Sequence, residues 1–149
     1  MEHSYIQSPL GWLKLSVADN QVFAIDRVRA KGSSSSHLSP IMTRLQAQLR
    51  EYFAGKRQKF DLPLAERGTP FQRQVWRKMA QIPYGRSLSY GDLAAQVGKP
   101  GAARAVGSAC GKNPWLILVP CHRVLAANGG MGGFALGLKA KQCLLNLEQ

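Results

Sequence analysis

The hydrophobic pattern changes its period near residue 40. Before it, Leu13, Leu15 and Val17 alternate with Trp12, Lys14 and Ser16, the period of a half-buried strand. Asp19-Asn20 supplies a turn, and Gln21–Val28 reads as the returning strand of a hairpin. After it, Ile41, Leu45, Leu49 and Phe53 line one face of a helix. Ser39 can cap that helix, Pro40 suits its first turn and Gly55 stops it. This part carries no chemical pattern: its histidines stand alone and its charges read as solvated faces.

Beyond residue 67 the pattern is mostly helical and well punctuated. Thr69-Pro70-Phe71-Gln72 is a capping box with Pro at the first helical position, and Phe71, Val75 and Met79 face a core. Ile82-Pro83-Tyr84-Gly85 ends that helix. Ser89 and Asp92 open a second one, buried through Leu93, Ala94 and Val97. After the turn Gly98-Lys99-Pro100-Gly101, residues 102–110 form a short helix of small residues closed by Gly111. The apolar run Leu116–Val119 reads as a buried strand that Pro120 ends. Ala140, Cys143, Leu144 and Leu147 mark the buried face of a last helix, with Glu148 one turn beyond Leu144. The expected architecture is α+β: a small N-terminal α/β domain with an antiparallel sheet over 1–66, and a mainly helical domain over 67–149.

The helix, glycine-containing turn and helix around Gly98–Gly101 fit a helix-turn-helix, and equally a packed α-hairpin. Three details favour DNA. The second helix, with Ala102, Ala103, Ala105, Gly107, Ser108 and Ala109, is slim enough to approach a groove. Gly107 inside a helix costs about 1 kcal/mol relative to Ala, which suggests that clearance is needed there. Acidic residues are almost absent nearby.

Charge adds a location. The 149 residues carry 20 Lys+Arg against 8 Asp+Glu, a net +12. Residues 1–66 hold nine basic and six acidic side chains, and residues 67–149 hold eleven and two. The basic excess therefore sits in the helical part, as expected of a polyanion binder. No apolar run approaches the roughly 20 residues of a membrane span, and no signal peptide is visible. Three cysteines make no paired framework, and without C-x-x-C a zinc site is not expected. These features predict a cytoplasmic protein with no membrane role.

Cys121 follows Pro120 and precedes His122 and Arg123, an electropositive setting that would stabilise thiolate. A bare Cys-His pair is also compatible with a buried structural cysteine. Adjacent residues on an extended chain point apart, so direct contact is not implied.

Pro-Cys-His-Arg-Val at 120–124 resembles the active-site motif of the O6-alkylguanine-DNA alkyltransferases, the methylated-DNA–protein-cysteine methyltransferases. The resemblance includes Gly68-Thr69-Pro70-Phe71-Gln72, Val75-Trp76, Ile82-Pro83-Tyr84-Gly85 and Ser89-Tyr90-Gly91. It continues through residues 102–107, Asn113-Pro114, Gly137-Leu138, Lys141 and residues 144–148. Ser8-Pro9-Leu10-Gly11 matches the start of the family's N-terminal domain more weakly. The resemblance implies a ribonuclease H-like fold for that domain and a helix-turn-helix in the other.

It also implies roles. Cys121 would take the alkyl group of O6-alkylguanine, and of O4-alkylthymine, once and irreversibly. His122 would act as a water-mediated base, Glu148 would orient it, and Asn113 would brace the turn. Arg104 would enter the base stack in place of the flipped nucleotide. Tyr90 would help rotate that nucleotide, with Ala103 and Gly107 lining the helix against the minor groove of double-stranded DNA. Val124, Phe134, Ala135 and Cys110 would line the substrate pocket. Phe134 replaces the family's usual Tyr, Ala135 stands where some members have Ser, and Leu136 replaces a small residue. No cofactor or metal is expected. The expected state is a monomer, nucleoid-associated if the source is bacterial, with cooperativity on DNA left open. Two rivals remain: a non-catalytic alkyltransferase-like lesion binder, which typically carries Trp at the nucleophile position, and a cysteine hydrolase, which leaves Arg104 without a role.

Overall fold

Alternating residues 12–18 do form a strand, and the sheet around it has one strand more than the pattern gives. The computed structural model describes all residues except 129, 131 and 135. It divides into two compact units, Met1–Glu66 and Arg67–Gln149. In the first, β1 (Glu2–Ser8), β2 (Gly11–Ala18) and β3 (Gln21–Val28) form an antiparallel sheet in the order β1-β2-β3. Asp19 and Asn20 close the second hairpin, both at positive φ (51° and 59°), as a tight turn matched to the strand twist requires. β1 escapes the hydrophobic pattern because one of its two inward residues is Ser4, the other being Ile6. α1 (Pro40–Phe53) packs on the sheet through Ile41, Met42, Leu45, Leu49 and Tyr52. Tyr52 rather than Phe53 fills the interior, with Phe53 against its edge. Ser39 caps α1, and the Glu2 carboxylate accepts from the Ser39 amide and hydroxyl.

In the second unit Thr69 and Gln72 form both bonds of the capping box that opens α2 (Pro70–Met79). The two-residue strand β4 (Leu88–Ser89) leads into α3 (Tyr90–Gln96), where Ser89 accepts from the Asp92 amide. After a short turn comes α4 (Ala103–Gly111), which packs on α2 and α3. Trp76 anchors α2 to α4 by donating its indole N–H to the Ala109 carbonyl at 2.8 Å, and its ring meets Trp115 edge-on. A 3-10 turn, Cys121–Arg123, runs into β5 (Val124–Leu125), parallel to β4. α5 (Leu138–Leu147) closes the unit.

Two expectations need correction here. Leu116–Val119 is a turn, not a strand: Leu116, Ile117 and Val119 are buried, but the backbone doubles back on itself. On α5, Lys141 occupies the interior with Ala140 and Leu144, while Cys143 and Leu147 lie at the rim. Among the described residues no helix is long and apolar enough to cross a membrane.

Candidate active site

Two tight turns deliver Cys121. The Leu118 amide donates to the Leu116 carbonyl at 2.9 Å across Ile117, whose φ is 75°. A β-branched residue in that region is strained by about 1–3 kcal/mol and persists only where its surroundings hold it. Pro120 (φ −81°, ψ 70°) then centres a second three-residue turn, with the Cys121 amide donating to the Val119 carbonyl at 2.9 Å. Asn113 ties the loop together. Its Oδ1 accepts from the Trp115 amide at 3.0 Å, and its Nδ2 donates to the Val119 carbonyl at 2.7 Å and the Trp115 carbonyl at 3.4 Å.

Behind Cys121 lies a buried polar chain. His122 Nε2 is 2.7 Å from Glu148 Oε2, with both side chains nearly inaccessible. Burial pushes the His122 pKa down, Glu148 pulls it up, and the charges of Arg123 and Lys141 push it down further. The ring is therefore neutral at pH 7. Its Nε2 carries the hydrogen donated to the carboxylate, and Nδ1 carries the free lone pair. Nδ1 is buried and has no hydrogen-bond partner in the protein. A buried, unsatisfied imidazole nitrogen is costly, so a water or a substrate proton belongs there.

Cys121 is itself buried, and burial raises its pKa, opposed by the Asn113 side chain and by Lys141. The resting sulfur is a thiol. The electropositive setting expected from Arg123 is absent, because its guanidinium is committed to Glu148. Lys141 is the cation that favours the thiolate.

Cys121 lines a cavity of about 440 Å³, together with Tyr90, Ala103, Arg104, Gly107, Cys110 and Phe134 among others. Arg104 is exposed. Tyr90 donates its hydroxyl to the Gly133 carbonyl at 3.2 Å, and burial raises its pKa. A Cβ at Gly107 would sit 3.8 Å from the Tyr90 ring, an ordinary contact, so the protein's own packing does not require glycine there. Burial pushes the Cys110 thiol up to about 12, which leaves it inert. Val124 is not part of the cavity lining; it is fully buried and its carbonyl accepts from Lys141 Nζ at 2.6 Å. Ala135 lies outside the described residues. Among the described residues no group of three or more His, Cys, Asp or Glu could hold a metal ion.

Residues 70–149 match the family model described as the DNA-binding domain of 6-O-methylguanine DNA methyltransferase. Residues 1–65 match that of the ribonuclease-like domain of the same proteins. The chain belongs to the 6-O-methylguanine DNA methyltransferase family. A methylated-DNA–protein-cysteine methyltransferase of Mycolicibacterium paratuberculosis is 43% identical over the whole chain and 93% of its own length. One from Methanosarcina barkeri is 38% identical over the whole chain and 98% of its length. The Mycobacterium tuberculosis protein OGT, solved in complex with DNA, superposes with a TM-score of 0.89 at 42% identity. That match covers 99% of this chain and 92% of the other. The α+β architecture and the ribonuclease-like N-terminal unit expected from the sequence agree with these findings.

Within this family site, three participants play parts that the sequence reading did not assign. Lys141 Nζ donates to the Gly133 carbonyl at 3.0 Å as well as to Val124. Gly133 thus accepts from both Tyr90 and Lys141, and it holds the loop to the cavity wall. Arg123 forms a two-pronged pair with Glu148. Lys141 was visible only as a matched position in the last helix, and Arg123 only as a charge beside Cys121.

Proposed function

We propose that this chain repairs DNA by moving the O6-alkyl group of a flipped alkylguanine onto Cys121, once per molecule. O4-alkylthymine is a second substrate of the same chemistry. The observation that carries the reading is the neutral His122 with an unpartnered Nδ1 behind a buried thiol that opens on a cavity. A water placed between them passes the Cys121 proton to Nδ1. The thiolate attacks the alkyl carbon, the S–C bond forms and the C–O6 bond breaks. The electron pair left on guanine takes a proton from the Tyr90 hydroxyl, which lines the same cavity, and water reprotonates the phenolate. His122 becomes a cation against the Glu148 carboxylate. Water does not cleave the thioether product, so the protein is consumed.

Arg104, exposed at the cavity mouth, fills the gap left by the extruded base. Flipping costs a few kcal/mol, less for a damaged pair. The slim Ala103–Gly107 surface fits the minor groove, where readout is too degenerate to impose a sequence. The family and the DNA-bound relative support DNA as the partner.

The test is an intact-mass measurement after mixing with an O6-methylguanine duplex. A single CH2 gain mapped to Cys121 is expected. Binding without mass change makes the chain a lesion sensor, and turnover of an ester or amide makes it a hydrolase.

A further inference from the structure

Arg123 lies in the interior with 6% of its surface exposed. All three guanidinium nitrogens are engaged. Nε donates to Glu148 Oε1 and Nη2 to Glu148 Oε2, both at 2.9 Å. Nη1 donates to the Ile82 carbonyl at 2.6 Å, and the guanidinium carbon lies 5.7 Å from the Tyr84 ring centre. The Gly85 amide reaches Glu148 Oε1 at 3.4 Å. The Ile82–Gly85 loop therefore seats both partners of the pair.

A buried carboxylate must be neutralised by something. If His122 were that something, the imidazole would rest protonated on both nitrogens, with no lone pair for the Cys121 proton. An arginine does not deprotonate in proteins, and its planar fork matches both carboxylate oxygens. We propose that Arg123 is a positioning residue for alkyl transfer: by holding both oxygens of Glu148 it keeps His122 a neutral base with Nδ1 open. This rests on the transfer reading above and adds the group that sets its proton balance.

The charged and titratable groups facing His122 are Glu148 at the end of α5, Lys141 within α5, and Arg123 and Cys121 in its own turn. Lys141 repels a proton on His122 as Arg123 does. Its ammonium is held by the Val124 and Gly133 carbonyls, so it acts through charge, whereas Arg123 also fixes the plane of the carboxylate.

The experiment is single-turnover transfer from an O6-methylguanine duplex between pH 5 and 9. It compares the wild type with Arg123→Lys, Glu148→Gln and the double variant Arg123→Met/Glu148→Gln. A lysine keeps the charge but loses the fork. Its acidic limb should move up by about one unit, a roughly tenfold rate loss on that limb that recovers at higher pH. The double variant, with no buried ion left in the pair, should fold, and without the Arg123 charge its acidic limb should lie above that of Glu148→Gln. An Arg123→Lys profile that overlays the wild type overturns the inference. If Arg123→Lys fails to fold, a double variant whose acidic limb lies at or below that of Glu148→Gln overturns it instead. A wild type that never alkylates Cys121 overturns the transfer reading itself, which keeps the two failures apart.

Discussion

The two units bury polar groups of opposite kinds. The N-terminal unit buries Ser4, Ser16 and Gln48, and the C-terminal unit buries His122, Arg123, Lys141 and Glu148. The first set is neutral and closes structural contacts. Ser4 meets Met42 and Gln46, Ser16 meets His3, and Gln48 exchanges bonds with the Asp61 backbone. The second set is ionisable throughout and leaves one nitrogen open. Neutral burial fixes a shape at modest electrostatic cost. Ionisable burial is expensive and leaves groups whose protonation the surroundings control. Burial alone therefore does not mark chemistry, whereas ionisable burial with an open valence does.

This contrast can be broken in several ways. Cys121→Ala should lose all methyl gain by intact mass yet bind the lesion duplex with near wild-type affinity. Loss of both together would sink the division between nucleophile and DNA surface. Arg104→Ala should slow reaction with duplex by tenfold or more, since flipping then lacks a few kcal/mol of compensation. Its reaction with free O6-benzylguanine should change little, and equal losses would refute the finger role.

On the other side, Leu45→Ala should destabilise the N-terminal unit by about 2–5 kcal/mol, read from denaturant unfolding. The molecules that remain folded should transfer at the wild-type rate. A rate defect in the folded fraction would place chemistry in the first unit.

Acid should find the C-terminal unit first. His122 has a depressed pKa in the folded protein, so an unfolded chain binds its proton at a higher pH. Stability is thus complete above the ordinary histidine value of 6.5 and falls as pH drops through the folded value. Melting between pH 6.5 and 5 should show this slope in wild type and a shallower one in His122→Asn. The smallest effect is at the α2 cap, where Thr69→Ala should cost about 1 kcal/mol in thermal unfolding without altering transfer.

Local rules carried much of the architecture. The β2–β3 hairpin, the caps at Ser39, Thr69 and Ser89, and the buried positions Ile41, Leu45, Leu49, Val75 and Met79 follow from period and end signals, whereas Phe53 and Phe71, on the same stripes, are only half-buried. β1 did not, because Ser4 interrupts its apolar side. The Leu116–Val119 turn did not either. An apolar run is compatible with any backbone, and the shape is set by the Asn113 amide reaching Val119. In the site, Cys121, His122 and Glu148 were picked out through the resemblance, and the structure seats His122 against Glu148. Arg123 was visible only as a charge beside a cysteine, since its partner Glu148 lies 25 residues away. The buried role of Lys141 was hidden because a lysine on a helix reads as solvent-facing unless the carbonyls that receive it are seen.

The burial of Cys121 has a consequence for shelf life. Under the one-shot transfer proposed above, the sulfur must not discharge on the wrong partner. With its proton retained and 7% of the residue exposed, this sulfur is a dull target for dissolved electrophiles. Reactivity is then a property of the occupied cavity rather than of the cysteine. On the proposed reaction, the protein would keep as an unspent cartridge, primed only by the lesion that fills its cavity.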